Sequence, residues 1–318
     1  MVEKIDIDSS TTGKRPTVFV FYLLRKGNSV LHFASFLKSL REYRTAIRYT
    51  PVVIQKGFPT GFRHHLIDAW VTEDGERAQV IDVSDDGYDL LAYRKAALQA
   101  DTDYCLFFNS YSKILGHLWL DYYVNAITEL GENSLIGATG SWQGATEDDA
   151  FPNVHIRTNA FLISRKLFLS IEAPLISKYD NYMLEHGPRS MTNMVIEGGG
   201  SVAVVDRNGG VIFPEQWPDR NVFWRGDQEL LLISDNRTLE YEVTNPRRRL
   251  RFSRCAWGQE RSHVVERSKA RRFACVLRDK LKSLYAYASL LYVLATRSSH
   301  PHSRKPSNVT YGMSARGH

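Results

Sequence analysis

Cysteine is scarce in this chain. Its 318 residues include three, Cys105, Cys255 and Cys275, an odd number set far apart. No CxxC pair occurs, which argues against a zinc ribbon or a disulfide framework and leaves three reduced thiols in a cytosolic protein as the expectation. Signature motifs are missing too. There is no GxGxxG, P-loop or HExxH, and no GxSxG between a strand and a helix, so a dinucleotide or ATP enzyme of standard type is disfavoured. Gly198 to Gly200 follows a helical pattern rather than a strand, and reads as a helix stop. No run approaches the roughly 20 apolar residues of a membrane span. The longest candidate, Leu281 to Thr296, is interrupted by Lys282 and several tyrosines. Met1 to Lys14 is polar and lacks the apolar stretch of a signal peptide.

What is present suits a globular core. Apolar residues make up 43% of the chain and charged residues 24%, so folding needs neither disulfides nor structural metal. The net charge of +6 conceals an asymmetry. From Pro246 onward there are 17 Lys/Arg against 3 Asp/Glu, a local +14, which leaves −8 for the preceding residues. The chain is an acidic body with a basic appendage, a distribution unlike that of a nucleic-acid-binding domain.

The pattern along the chain alternates strand and helix. Thr17 to Leu24 is a continuous apolar run, the mark of a strand buried on both faces. Helical spacing follows from Ser29 to Tyr43, then strands at 51–55, 79–83, 104–108 and 134–138, with helices at 90–100 and 119–130 between them. This order predicts an α/β fold with a mostly parallel sheet flanked by helices. The second half is less regular: a strand at 158–164, a helix from Arg165, a helix over 189–197 and a strand at 201–205. Residues 1–15 and 298–318 are expected to be disordered, 16–258 to form the catalytic domain, and 259–297 a basic amphipathic helical extension.

In such sheets ligands bind beyond the carboxyl ends of the strands, so the polar residues there are the candidates. Ser84 to Asp89 ends one strand and opens a helix. Asp86 and Asp89 suit a ribose hydroxyl or base, or they cap the helix. Asn109, Ser110 and Ser112 end the next strand, where enzymes handling nucleotide diphosphates place the two carboxylates that hold a divalent cation. Neutral oxygens bind a hard cation poorly, so Asn109 and Ser112 form a weak metal site at best. His155, Arg157 and Asn159 alternate, and on a strand would share one face. Arg157 aimed at a pyrophosphate would partly replace a metal. Asp180 to Gly187 contains acids suited to general-base work, or to stabilising the following helix through its dipole. Tryptophans among Arg, Asp and Gln in Trp217 to Gln228 suit sugar or base stacking, or an ordinary domain edge.

Taken as a set, Lys56-Gly57-Phe58, Asp86 to Asp89 with Tyr93, Phe108 to Ser112, Gly137 to Ser141 and His155 to Phe161 resemble GT-A-fold bacterial glycosyltransferase-like proteins. These are distantly similar to the rhamnan-synthesis F type and to family-two glycosyltransferases. The resemblance covers roughly residues 17–258. It implies a GT-A-like (Rossmann-like) fold and a nucleoside-diphosphate sugar donor across the first strand ends. Asp86, Asp89, Tyr93, Lys56, Asn109, Ser110 and Ser112 would bind the donor, and Glu185 would stand where family-two enzymes carry their catalytic acid. Arg157 and His155 complete the catalytic candidates. The missing acidic DxD puts Mn or Mg dependence in doubt and leaves open a non-catalytic module that binds a glycan or a partner. The implied acceptor is a cell-surface polysaccharide or a lipid-linked glycan. The basic C-terminal segment, with Tyr and Leu on its other face, suits an anionic membrane surface at the inner face of the plasma membrane, or a helix packed on the body.

Overall fold

The structure, a computed structural model, describes residues 16–144, 151–265 and 268–298. The 1–15 lead and, apart from Ser298, the 298–318 tail lie outside the described residues. The chain opens with β1 (Val18–Arg25), α1 (Val30–Glu42), β2 (Thr50–Lys56), β3 (Gln79–Val83), α2 (Asp89–Gln99) and β4 (Tyr104–Phe108). The short β5 (Lys113–Ile114), α3 (Trp119–Leu130), β6 (Leu135–Gly137), β7 (Gly140–Ser141) and β8 (His155–Ile156) follow. Next come β9 (Ala160–Ser164), α4 (Arg165–Ser170), α5 (Lys178–His186), α6 (Met191–Glu197), β10 (Val202–Val205) and β11 (Val211–Ile212). Last are β12 (Ile233–Ser234), α7 (Asn236–Val243), α8 (Pro246–Arg261) and α9 (Lys269–Ser298).

Eight strands form one sheet in the order β11-β10-β6-β9-β4-β1-β2-β3. Four of its seven pairings are parallel, and β9 runs antiparallel to both neighbours. The fold is α/β, as the alternating pattern predicts. β1 is apolar from Val18 to Leu24 because both faces of the sheet are covered. Phe21 and Leu23 point into a core with Leu90, Tyr93 and Ala96 of α2. Val20, Tyr22 and Leu24 point the other way, against Phe33 and Phe36 of α1 and Trp119 and Tyr123 of α3. The order reverses at β1, which lies between β2 and β4, and a crevice is expected beyond the carboxyl ends of these strands.

Two differences from the sequence reading bear on the candidate residues. His155, Arg157 and Asn159 do not share a strand: β8 holds two residues and the chain turns at Thr158 and Asn159 before β9 begins. Asp180 sits inside α5, a helix absent from the pattern, where it completes a capping box with Ser177. The basic C-terminal helix α9 lies along α1, joined to it by Ser283 Oγ to Ser35 Oγ at 2.8 Å and to β5 by Asp279 to Lys113 at 2.5 Å. Among the described residues no helix is long and apolar enough to cross a membrane.

Candidate active site

A cavity of about 780 Å³ opens at the carboxyl end of β4, between α2, α5 and α8. That volume suits a ligand of cofactor or substrate size. Its walls bring together residues that are far apart in sequence: Asp89, Asn109, His155, Arg157, Asn159 and Glu185, together with Phe223, Trp224, Arg237, Arg248, Arg251 and Phe252.

The acidic side is built by two helices. Gly87 makes the turn into α2 at φ +58°, where an added Cβ would lie 2.5 Å from Leu91 and 2.7 Å from the Leu175 carbonyl. Lys56 braces the same turn. It is almost wholly buried, and its Nζ donates to the Asp86 carbonyl at 2.8 Å and lies 3.3 Å from Asp85. Burial pulls the Lys56 pKa down. The turn presents Asp89, whose carboxyl is pushed up first by burial and then by the charge of Glu185. Asn181 of α5 accepts the Leu90 N–H at 3.2 Å and ties the two helices together. Glu185, near the end of α5, accepts from the Thr158 N–H at 3.2 Å and from the Thr158 hydroxyl at 2.9 Å. These two bonds fix its carboxylate.

Beside it stand two imidazoles. His155 and His186 meet edge to face at 4.1 Å between ring centres, and His186 Nε2 lies 3.8 Å from Glu185. His155 Nδ1 lies 2.9 Å from the Asn153 carbonyl. A carbonyl only accepts, so Nδ1 carries the proton of the neutral ring. Burial, reinforced by His186, lowers the His155 pKa to about 3. His155 is therefore uncharged near neutral pH.

The cationic side comes from Arg157, Arg237, Arg248 and Arg251. Arg157 binds the buried Asp235 at 2.8 Å and Thr139 at 3.2 Å, and its guanidinium lies 4.3 Å over the Phe223 ring. Phe223, Trp224 and Phe252 stack in series at 4.6 and 4.5 Å. Trp224 is held through its indole N–H to the Arg237 carbonyl and its backbone N–H to Gln228. The shelf is thus rigid. On the cavity wall Asn159 Oδ1 accepts from the Thr139 hydroxyl at 2.7 Å, while its buried Nδ2 meets no acceptor among the described residues. An unmet buried donor costs about 1–3 kcal/mol, so an oxygen-rich ligand gains by meeting it.

Six of the residues singled out from sequence therefore line the cavity: Asp89, Asn109, His155, Arg157, Asn159 and Glu185. The others stand elsewhere. Asp86 is exposed and faces Lys95 at 3.9 Å. Tyr93 is buried in the core, stacked on Phe107 at 4.7 Å, and is not among the residues that line the cavity. Ser110 spends its hydroxyl on the Leu23 carbonyl at 2.7 Å. Ser112 is fully buried, its one hydroxyl proton shared between Asn109 Oδ1 and the Asn159 carbonyl. Asn109 Oδ1 accepts from both the Tyr111 N–H and the Ser112 hydroxyl, each at 2.9 Å. Both oxygens are engaged within the turn and neither is charged, so Asn109 and Ser112 as arranged do not fit a cation. Among the described residues no cluster of three or more His, Cys, Asp or Glu is placed to hold a metal. The sequence reading gave Arg248, Arg251 and Phe252 no role in the site, and counted the two arginines with the basic charge that follows Pro246. Their only local signal is an aromatic set among arginines.

No family model matches the chain, the rhamnan-synthesis type included, and no curated protein matches it. Solved structures do. The galactosyltransferase LgtC, solved with donor and acceptor sugar analogues, is 16% identical, with a TM-score of 0.41 over 59% of this chain and 73% of that one. GalNAc-T7, solved with UDP, GalNAc and Mn²⁺, is 13% identical, with a TM-score of 0.43 over 63% of this chain and 42% of that one. A Bacillus anthracis protein assigned as a glucose-1-phosphate thymidylyltransferase is 11% identical, with a TM-score of 0.39 over 61% and 90%. Superposition at this level is partial and gives no residue of this chain a role.

Proposed function

We propose that this chain is a glycosyltransferase that takes a sugar from a nucleoside-diphosphate donor and passes it to a glycan hydroxyl. The observation that supports this most is the convergence, on one cavity at the strand ends, of the Glu185 and Asp89 carboxylates, four arginines and an aromatic shelf. Each part matches a need of the reaction. The Phe223–Trp224–Phe252 shelf offers stacking for a base or sugar. Arginines meet a diphosphate with paired N–H donors and stabilise it as it leaves. In this reading Asp89 accepts a hydroxyl of the ribose. Glu185 takes the acceptor's proton as its oxygen bonds to the anomeric carbon, while the bond to the diphosphate breaks and its electron pair leaves with the phosphate. The resemblance noted above points to a cell-surface polysaccharide or lipid-linked acceptor.

The test is a thermal-shift screen of the purified protein against UDP, GDP, CDP and dTDP, with and without Mn²⁺, followed by release of diphosphate from matching sugar donors. A diphosphate that raises the melting temperature, with release that needs Glu185, supports the reading. Folded protein that answers none of the four at millimolar concentration refutes it. The chain would then be a module that binds a glycan or a partner without turnover.

A further inference from the structure

Helix α9 carries two apolar faces, and the body covers only one. Cys275, Ser283, Ala286 and Leu290 are buried on the first, against the core that includes α1. On the opposite side Phe273, Leu277, Leu281, Leu284 and Leu291 follow one another at spacings of 3, 4 and 7, the repeat of a single helix face. Tyr285 and Tyr292 widen the same stripe. These seven side chains are 38% to 71% exposed. From Phe273 to Tyr292 the stripe runs roughly 30 Å at the rise of an α-helix.

The charges around the stripe identify its occupant. At 100° per residue, Lys269 and Lys280 border one edge of the stripe and Arg271, Arg278 and Lys282 border the other. The one acid of the helix, Asp279, lies toward the body and is paired with Lys113. We propose that α9 docks the protein on an anionic membrane surface. The helix would lie in the plane of the interface, its leucines and aromatics in the acyl boundary and its two basic edges among the headgroups. A second copy laid on this face would set basic edge against basic edge. Nothing in this inference depends on the sugar chemistry. It bears on that chemistry through place: Arg278 and Lys282 line a groove of about 390 Å³ that shares Tyr111 and Asn236 with the site cavity.

The experiment is flotation of the full chain with vesicles of phosphatidylcholine alone, and of phosphatidylcholine with phosphatidylglycerol at roughly 7:3. The expected result is at least about tenfold more protein on the anionic vesicles, falling as salt rises. Leu281→Asp with Leu284→Asp, and separately Arg271→Glu with Lys280→Glu, change exposed positions, so both variants keep the melting temperature. Each should lose at least about tenfold in binding. Equal binding to neutral vesicles, no binding, or variants that bind like the parent would each overturn the proposal. A dimer in light scattering that Leu281→Asp disperses would overturn it as well, by giving the face to a second copy.

Discussion

Arg157 holds the carboxylate of Asp235 at 2.8 Å, and that carboxylate is completely buried. Asp235 also accepts the Thr238 N–H at 2.8 Å and so caps α7. The pair joins the cavity wall to the C-terminal helices. Removing one partner leaves the other charge stranded in a dry place. Arg157→Ala is expected to cost about 3–5 kcal/mol in urea unfolding. The double variant with Asp235→Asn should recover part of that loss. If Arg157→Ala unfolds at the parent's midpoint, the pair is not a structural element.

His155 makes stability depend on pH. Its folded pKa of about 3 lies below the unfolded value of about 6.5. The unfolded chain therefore binds a proton that the folded chain refuses between those values. The stability is complete above about pH 6.5 and is lost as pH falls through the window. Between pH 7 and pH 4 the loss from this group is on the order of 3 kcal/mol. His64, lowered to about 4 mainly by burial, adds a loss of the same sign. The diagnostic is thus the difference between the parent and His155→Gln, whose urea stability should fall less on acidification. Identical slopes would show that His155 is not held neutral.

The first half of the fold was legible because its signals are local. β3, β4 and α3 have the bounds that their apolar patterns give. What escaped depends on distant contacts. Arg249 sits in a run of three arginines that reads as solvated charge, yet it is buried, donating to the Gly226 carbonyl at 2.7 Å over the ring of Tyr241. Only chain returning from far away supplies those acceptors. The site divides in the same way. Asp89 and Glu185 were visible as acids at plausible places, but their coupling requires α5 to pack on α2. Tyr93 and Ser112 were drawn in by their neighbours in sequence, and alternation along the chain cannot tell which of two faces is core.

Arg251 lines the cavity from an exposed position on α8. Arg248 beside it is bound to Glu240 and lies 5.2 Å over the Phe252 ring. If these cations meet a diphosphate, Arg251→Ala should weaken diphosphate binding by about tenfold, the scale of one charge-assisted contact, while leaving the melting temperature of the free protein within about a degree. Titration calorimetry with the responding nucleotide measures this. Unchanged affinity would remove Arg251 from the donor site.

Glu185→Gln separates chemistry from binding. The amide keeps the shape and one acceptor, and Thr158 can still bond to it. The proton acceptor is gone. Sugar transfer should fall by about 10²–10⁴-fold while diphosphate affinity stays within a few-fold. Steady-state kinetics beside nucleotide binding gives both numbers. A proportional loss of the two would make Glu185 a binding residue rather than a base.

Asp86 and Asp89 are near neighbours in sequence and are expected to behave oppositely. Asp86 is exposed and bonded to the surface, whereas Asp89 faces the cavity beside Glu185. Asp86→Ala should leave nucleotide stabilisation intact. Asp89→Asn should reduce it, because an amide accepts a ribose hydroxyl less strongly than a carboxylate, by roughly 1.5–3 kcal/mol for a charge-assisted bond. The burial and like charge that push the Asp89 carboxyl up also set the direction with pH. Acidification protonates Asp89 sooner than an ordinary aspartate, so nucleotide affinity should drop on the acid side earlier than free aspartate would predict. The same drop should be absent in Asp89→Asn. Equal loss in Asp86→Ala and Asp89→Asn would mean that the whole turn, rather than the carboxylate in the cavity, supports the nucleotide.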